Sequence, residues 1–186
     1  MLIVALLFIC VVASLIWGRL FFFKVNTGTP FWLALGYDLV VVGHILLTAY
    51  YMITVTQFTQ FGVWIAGFLY GLSLVLFWWS IRVAKRLDFA FSNQVGDIVT
   101  TGPFAVVRHP FYSSYMLAWV AGSFLFNSSI LWITLFLLGS FYFISARREE
   151  SVIMSSPQSE QYKNYKQNVG MFLPRIRKWK QSHIEH

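Results

Sequence analysis

An all-α, polytopic membrane protein is the fold class this sequence predicts, on three observations. Of its 186 residues, 58 % are hydrophobic and 11 % charged, and the mean hydropathy of +0.63 is too high for a surface that faces water. Largely apolar runs cover 2–17, 31–53, 61–81, 112–126 and 130–145, which predicts five transmembrane helices. Between the runs, the segments 18–30, 82–111 and 146–186 hold all 14 lysines and arginines, while the turns 54–60 and 127–129 carry no charge of either sign. Basic residues stay on the cytoplasmic side of a membrane, so the amino terminus is expected outside and the carboxyl terminus in the cytoplasm.

The first run has no basic residue before it and no small-residue cleavage site, and Arg19 and Lys24 follow it, so it is expected to stay as a helix. The second run carries Asp38 and His44, six positions apart and therefore on different sides of a helix. A capped or headgroup-solvated aspartate and a structural histidine are expected there, with a polar contribution to a ligand cavity as the alternative. Gly67 and Gly71 in the third run form a small-residue pair that would let a neighbouring helix come close. The turn at 54–60 is short, which predicts a hairpin of helices two and three.

From 82 to 101 the texture changes. Arg82, Lys85 and Arg86, then Asp88, Phe89, Phe91 and Asn93, read as a linker along the membrane surface, with a turn at Gly96 and Asp97. Helices four and five are short runs joined at 127–129, hence a second hairpin, and 175–186 reads as a basic tail. The chain thus divides into three helices with a linker at 1–95, a polar region at 96–174 and a tail at 175–186, within one compact unit.

The region that carries chemistry opens with GPFAVVRHPFY, residues 102–112. Pro103 restricts the backbone, Gly102 lets it turn or approach a ligand, and Pro110 suits the first turn of helix four, holding Arg108 and His109 just before it. A guanidinium fork and a helix start both suit a carboxylate, and an imidazole can bind or exchange a proton near neutral pH. Helix five ends in SARREES, which sets Arg147, Arg148, Glu149 and Glu150 at the same face as Arg108 and His109. Two carboxylates beside three arginines make an ion-pair lid or a site for a zwitterionic ligand. Tyr162 and Tyr165, three apart, share a face if their segment is helical, and the alternative for them is anchoring at the headgroup level.

Several classes are excluded. There is no phosphate-binding loop and no glycine-rich dinucleotide fingerprint. One cysteine, Cys10, and four scattered histidines make a protein-held metal unexpected. The net charge of +7 is juxtamembrane, which points to anionic lipid rather than nucleic acid.

From Gly96 to Pro174 the chain resembles the catalytic half of the isoprenylcysteine carboxyl methyltransferase family, within the wider group that includes the membrane phospholipid methyltransferases. The likeness rests on GPFAVVRHPFY, the Glu149–Glu150 pair, Tyr162 with Tyr165, and the closing Gly170 to Pro174 run. It implies a carboxyl-terminal catalytic hairpin that holds S-adenosylmethionine near the cytoplasmic interface. By that resemblance, Arg108, His109 and Glu150 are catalytic, and Gly102, Pro103, Arg108, His109, Pro110, Tyr112, Glu149, Glu150, Tyr162 and Tyr165 bind the cofactor. The implied methyl acceptor is lipophilic or small: a prenylcysteine carboxylate, a thiol or a lipid amine. Where the isoprenylcysteine enzymes carry a basic residue after the closing glycine, this chain has Met171, which cannot pair with a substrate carboxylate. Sterol reductases, which use NADPH, resemble the same helical core and supply the alternative function, with a non-catalytic membrane protein as a third.

Overall fold

A computed structural model describes residues 1–22, 31–84 and 98–175. The described chain is helical: α1 (Leu2–Trp17), continued by a π-helical turn at Gly18–Phe22; α2 (Phe31–Thr54); α3 (Gln60–Ala84); a 3-10 turn at Gly102–Ala105; α4 (Pro110–Phe126); α5 (Ser129–Met154); and α6 (Ser159–Asn168). The expected linker at 85–97 and the tail beyond Arg175 lie outside the described residues. Arg82 does not open the linker but belongs to the last turn of α3.

Four helical stretches, not five, are long and apolar enough to cross a membrane among the described residues: Leu2–Phe22, Ala34–Thr54, Gln60–Ala84 and Ser129–Met154. The fifth expected span is α4, which has 17 residues and is enclosed by protein, burying Ser113, Ser114, Tyr115, Trp119 and Ser123 among others. A helix wrapped by its neighbours need not match the hydrocarbon thickness, so shortness is tolerated there. Its serines are satisfied within the bundle: Ser123 Oγ donates to Trp119 O at 2.9 Å, and Ser114 O accepts from Ser73 Oγ of α3 at 2.8 Å. The outward faces carry Leu2, Trp32, Ile53, Trp64 and Phe136, all more than half exposed, as a lipid-facing surface requires.

Around α4 the packing is asymmetric. α3 lies along one side with α1 behind it, and α5 along the other with α2 behind it. The hairpin of α4 and α5 forms as expected, turning at Asn127 with a left-handed φ of 47°. The expected hairpin of helices two and three does not, because α2 packs on α5 and α4 rather than on α3. Three polar contacts draw it there: Tyr37 Oη to Tyr142 Oη at 3.2 Å, His44 Nδ1 to Thr134 Oγ1 at 2.7 Å, and Tyr51 Oη to Ser128 Oγ at 3.0 Å. In a lipid surrounding such groups find partners only in protein, so they choose the neighbour.

Two apolar clusters fill the bundle. One joins Val4, Phe8 and Val11 to Tyr70, Ala118 and Leu125, and the other joins Phe77 and Ile81 to Tyr115, Trp119, Leu138 and Tyr142. Gly67 and Gly71 do not mediate a close approach: a Cβ on Gly67 would meet Val4 at an ordinary 3.6 Å, and one on Gly71 would meet nothing within 4 Å. Between helices the close approach is at Gly122 in α4, where a Cβ would come within 3.2 Å of Thr48 Oγ1 and of Tyr70 Oη. As expected, Asp38 and His44 take different sides of α2. His44 is buried, while Asp38 is half-buried and, rather than being capped, pairs with Arg19 at 3.3 Å.

Candidate functional site

The backbone that builds the site begins at Gly102, where two features demand glycine: its φ is +60°, and a Cβ would stand only 2.8 Å from Val83 Cγ2. Pro103 follows, buried in the 3-10 turn, and delivers the chain to Val107. There residues 107–109 meet the segment after α6 in parallel: Val107 bridges Gly170, Arg108 N donates to Gly170 O at 2.8 Å and His109 N to Met171 O at 3.1 Å. Ser113 Oγ adds a bond to Phe172 O at 2.8 Å, so the strap 169–173 is fastened over the start of α4. Gly170 permits the strap to turn, since a Cβ there would collide with the Leu173 carbonyl. Pro110 opens α4 with His109 as its N-cap residue, as the sequence predicts.

Against this frame the end of α5 brings its carboxylates. Glu150, 2 % exposed, receives Arg108 Nε at 2.9 Å and Nη2 at 2.8 Å on one oxygen, Oε1. His109 Nε2 reaches the same oxygen at 3.3 Å, and His109 Nδ1 faces Glu149 Oε2 at 3.4 Å. Tyr112 Oη donates to Glu149 Oε1 at 2.5 Å. Arg108 Nη1 donates to the carbonyls of Val169 and Lys166, binding the guanidinium to the end of α6 as a cation suits a helix carboxyl terminus.

Burial pulls the pKa of His109 down, but hydrogen bonds and charge from Glu149 and Glu150 overcome it, and the pKa stands above its ordinary value. Both ring nitrogens face carboxylates, the arrangement an imidazolium satisfies. An aromatic stack backs the cluster: Tyr112 lies between His109, at 5.7 Å and 16°, and Tyr142, at 5.2 Å and 20°.

Tyr162 and Tyr165 share a face of α6 with rings 5.7 Å apart. Tyr162 is buried near Arg108 and Glu150, and Tyr165 Oη donates to Phe104 O at 2.6 Å, tying α6 to the 3-10 turn. Desolvation raises both phenols. Of the ten residues expected at the cofactor, Arg108, His109, Tyr112, Glu149, Glu150 and Tyr162 come together here, Tyr165 ties α6 to the 3-10 turn, Pro103 and Pro110 shape the backbone, and Gly102 packs against Val83 and Trp79 of α3.

The expected trio of arginines is not assembled. Arg147 and Arg148 are exposed, and Arg147 lies over the Phe143 ring at 5.9 Å. Arg148 is two positions from Glu150, about 200° round the helix, and so faces away. The second cation beside Arg108 is instead Lys166, with Nζ 2.8 Å from Glu150 Oε2. Sequence reasoning missed it, although Tyr162 and Lys166 stand four apart on a predicted helix and so share its face. Among the described residues no group of three or more His, Cys, Asp and Glu side chains is placed to hold a metal ion.

An all-helical membrane bundle with a buried ionic cluster where helix ends converge is the class of protein that fold and site define. The family model described as phospholipid methyltransferase matches residues 61–159, just over half of the chain, and the chain belongs to that family. The matched segment runs from α3 to the first residue of α6 and takes in Gly102, Arg108, His109, Tyr112, Glu149 and Glu150. No curated protein and no solved structure matches it.

Proposed function

We propose that the chain transfers a methyl group from S-adenosylmethionine to a lipophilic nucleophile at the cytoplasmic face of a membrane, and that the convergence of α4, α5 and α6 is where it does so. The observation that carries this reading is that the family match contains the buried Arg108–His109–Glu150 cluster. S-adenosylmethionine supplies, when bound, a methyl group on a sulfonium together with a carboxylate, an ammonium and an adenosine.

The residues present fit such a molecule by the chemistry of the donor set. Glu149 and Glu150 suit an ammonium, Arg108 a carboxylate, and the Tyr112–Tyr142 stack with Phe172 suits a flat or cationic group. Arg108 also holds Glu150 ionised and oriented, a role its present contacts already fill. Glu149, partly exposed and bonded to Tyr112, is the carboxylate of the pair best placed to take the proton that a thiol or amine releases on methylation.

The absence of a basic residue at Met171 argues against a carboxylate acceptor, and a lipid amine headgroup agrees with it and with the family's description. The test is calorimetric titration of S-adenosylmethionine into the protein in lipid nanodiscs. Saturable binding is expected, abolished by Arg108→Ala or Glu150→Ala with the helical circular-dichroism signal retained, and not displaced by NADPH. A flat titration of the native chain would reject the reading.

A further inference from the structure

We propose that Lys166 is an exchangeable counter-ion that occupies Glu150 Oε2 in the free protein and yields it to the ammonium group of an incoming ligand. The two oxygens of Glu150 are unequal. Oε1 is met by Arg108 Nε at 2.9 Å, Arg108 Nη2 at 2.8 Å and His109 Nε2 at 3.3 Å. Oε2 is buried, and Lys166 Nζ at 2.8 Å is the cation that meets it, poorly aligned for a hydrogen bond. A buried carboxylate oxygen held by one poorly aligned donor is the weaker-held of the two, and a better-aligned ammonium would improve on it.

The cations around Glu150 differ in how easily they can leave. Arg108 is 7 % exposed and fixed at its far side by the Val169 and Lys166 carbonyls. Its departure would strand a buried carboxylate. Lys166 is 40 % exposed, and its ammonium rides on a flexible stem that can swing into water while the stem stays packed. Exchange of one ammonium for another leaves the charge of the cluster unchanged, so neither Arg108 nor His109 has to move. A ligand with a primary ammonium at the end of a short chain fits that exchange.

The inference rests on S-adenosylmethionine being the ligand, through the ammonium of its amino acid end. Its test therefore separates the two ideas, using the full chain in nanodiscs. Lys166 is acylated by an amine-reactive reagent and read by peptide mass spectrometry, with Lys163, exposed on the same helix and paired with Glu160, as the internal reference. Saturating S-adenosylmethionine is expected to raise Lys166 labelling relative to Lys163, whereas 5′-methylthioadenosine, which lacks the amino acid end, leaves it unchanged. Lys166→Met is expected to tighten S-adenosylmethionine binding about two- to fivefold by removing the competitor, with Lys166→Arg restoring the native affinity or weakening it. If the native chain binds S-adenosylmethionine but Lys166 labelling does not rise, or if Lys166→Met weakens binding, the exchange is wrong while the cofactor reading stands. If the native chain does not bind it at all, both fall.

Discussion

At the scale of single residues the site is governed by how one carboxylate is shared. Glu150 would be a severe penalty within a buried helix end without Arg108, His109 and Lys166 around it. His109 gives this arrangement a measurable pH signature. Its pKa is held above the ordinary 6.5, so the stability it contributes is fully present below that value and drains away as pH rises through the raised one. Thermal unfolding in detergent is therefore expected to show a midpoint that falls as pH increases above 6.5, and His109→Gln should flatten that slope. Arg108, His109 and the glutamates are legible as a cluster because a proline-started helix and a tight hairpin fix their positions from local sequence. Lys166 is not, since it announces itself only by spacing from Tyr162 on a helix that lies beyond the hairpin.

Among the elements, the legible ones are those whose apolar pattern is self-sufficient. The first run matches α1 residue for residue, and the others gain a few residues at their ends, most of all α5, whose polar last turns carry the site. Partner choice is less legible: α2 joins α5 and α4 rather than α3 because Tyr37, His44 and Tyr51 meet groups about 75 to 105 positions away, a preference with no local trace. The strap is visible in the sequence only as a glycine-to-proline run; its pairing with Val107 depends on a backbone register that composition does not encode. Gly170 is the residue on which that register turns. Gly170→Ala is expected to displace Leu173 and release the amides of Arg108 and His109, seen as faster hydrogen exchange at those two positions while exchange within α3 is unchanged.

For the whole molecule, the charge distribution predicts one orientation and the fold makes it testable. In a Cys10→Ser background, Gln57→Cys and Gln161→Cys place exposed thiols in the α2–α3 turn and on α6. A membrane-impermeant maleimide applied to intact cells is expected to label position 57 and spare position 161; the reverse pattern would overturn the proposed topology. Apolar runs alone do not reveal that α4, short at 17 residues, is sheltered by its neighbours, a property of the assembled bundle.

The strap over α4 also has a temporal meaning. Because 169–173 follows both helices it fastens, the Val169 carbonyl that steadies the guanidinium is the last part of the ionic cluster to be synthesised. Closure of the cluster thus waits on the last-made described segment, which must fold back onto the start of α4.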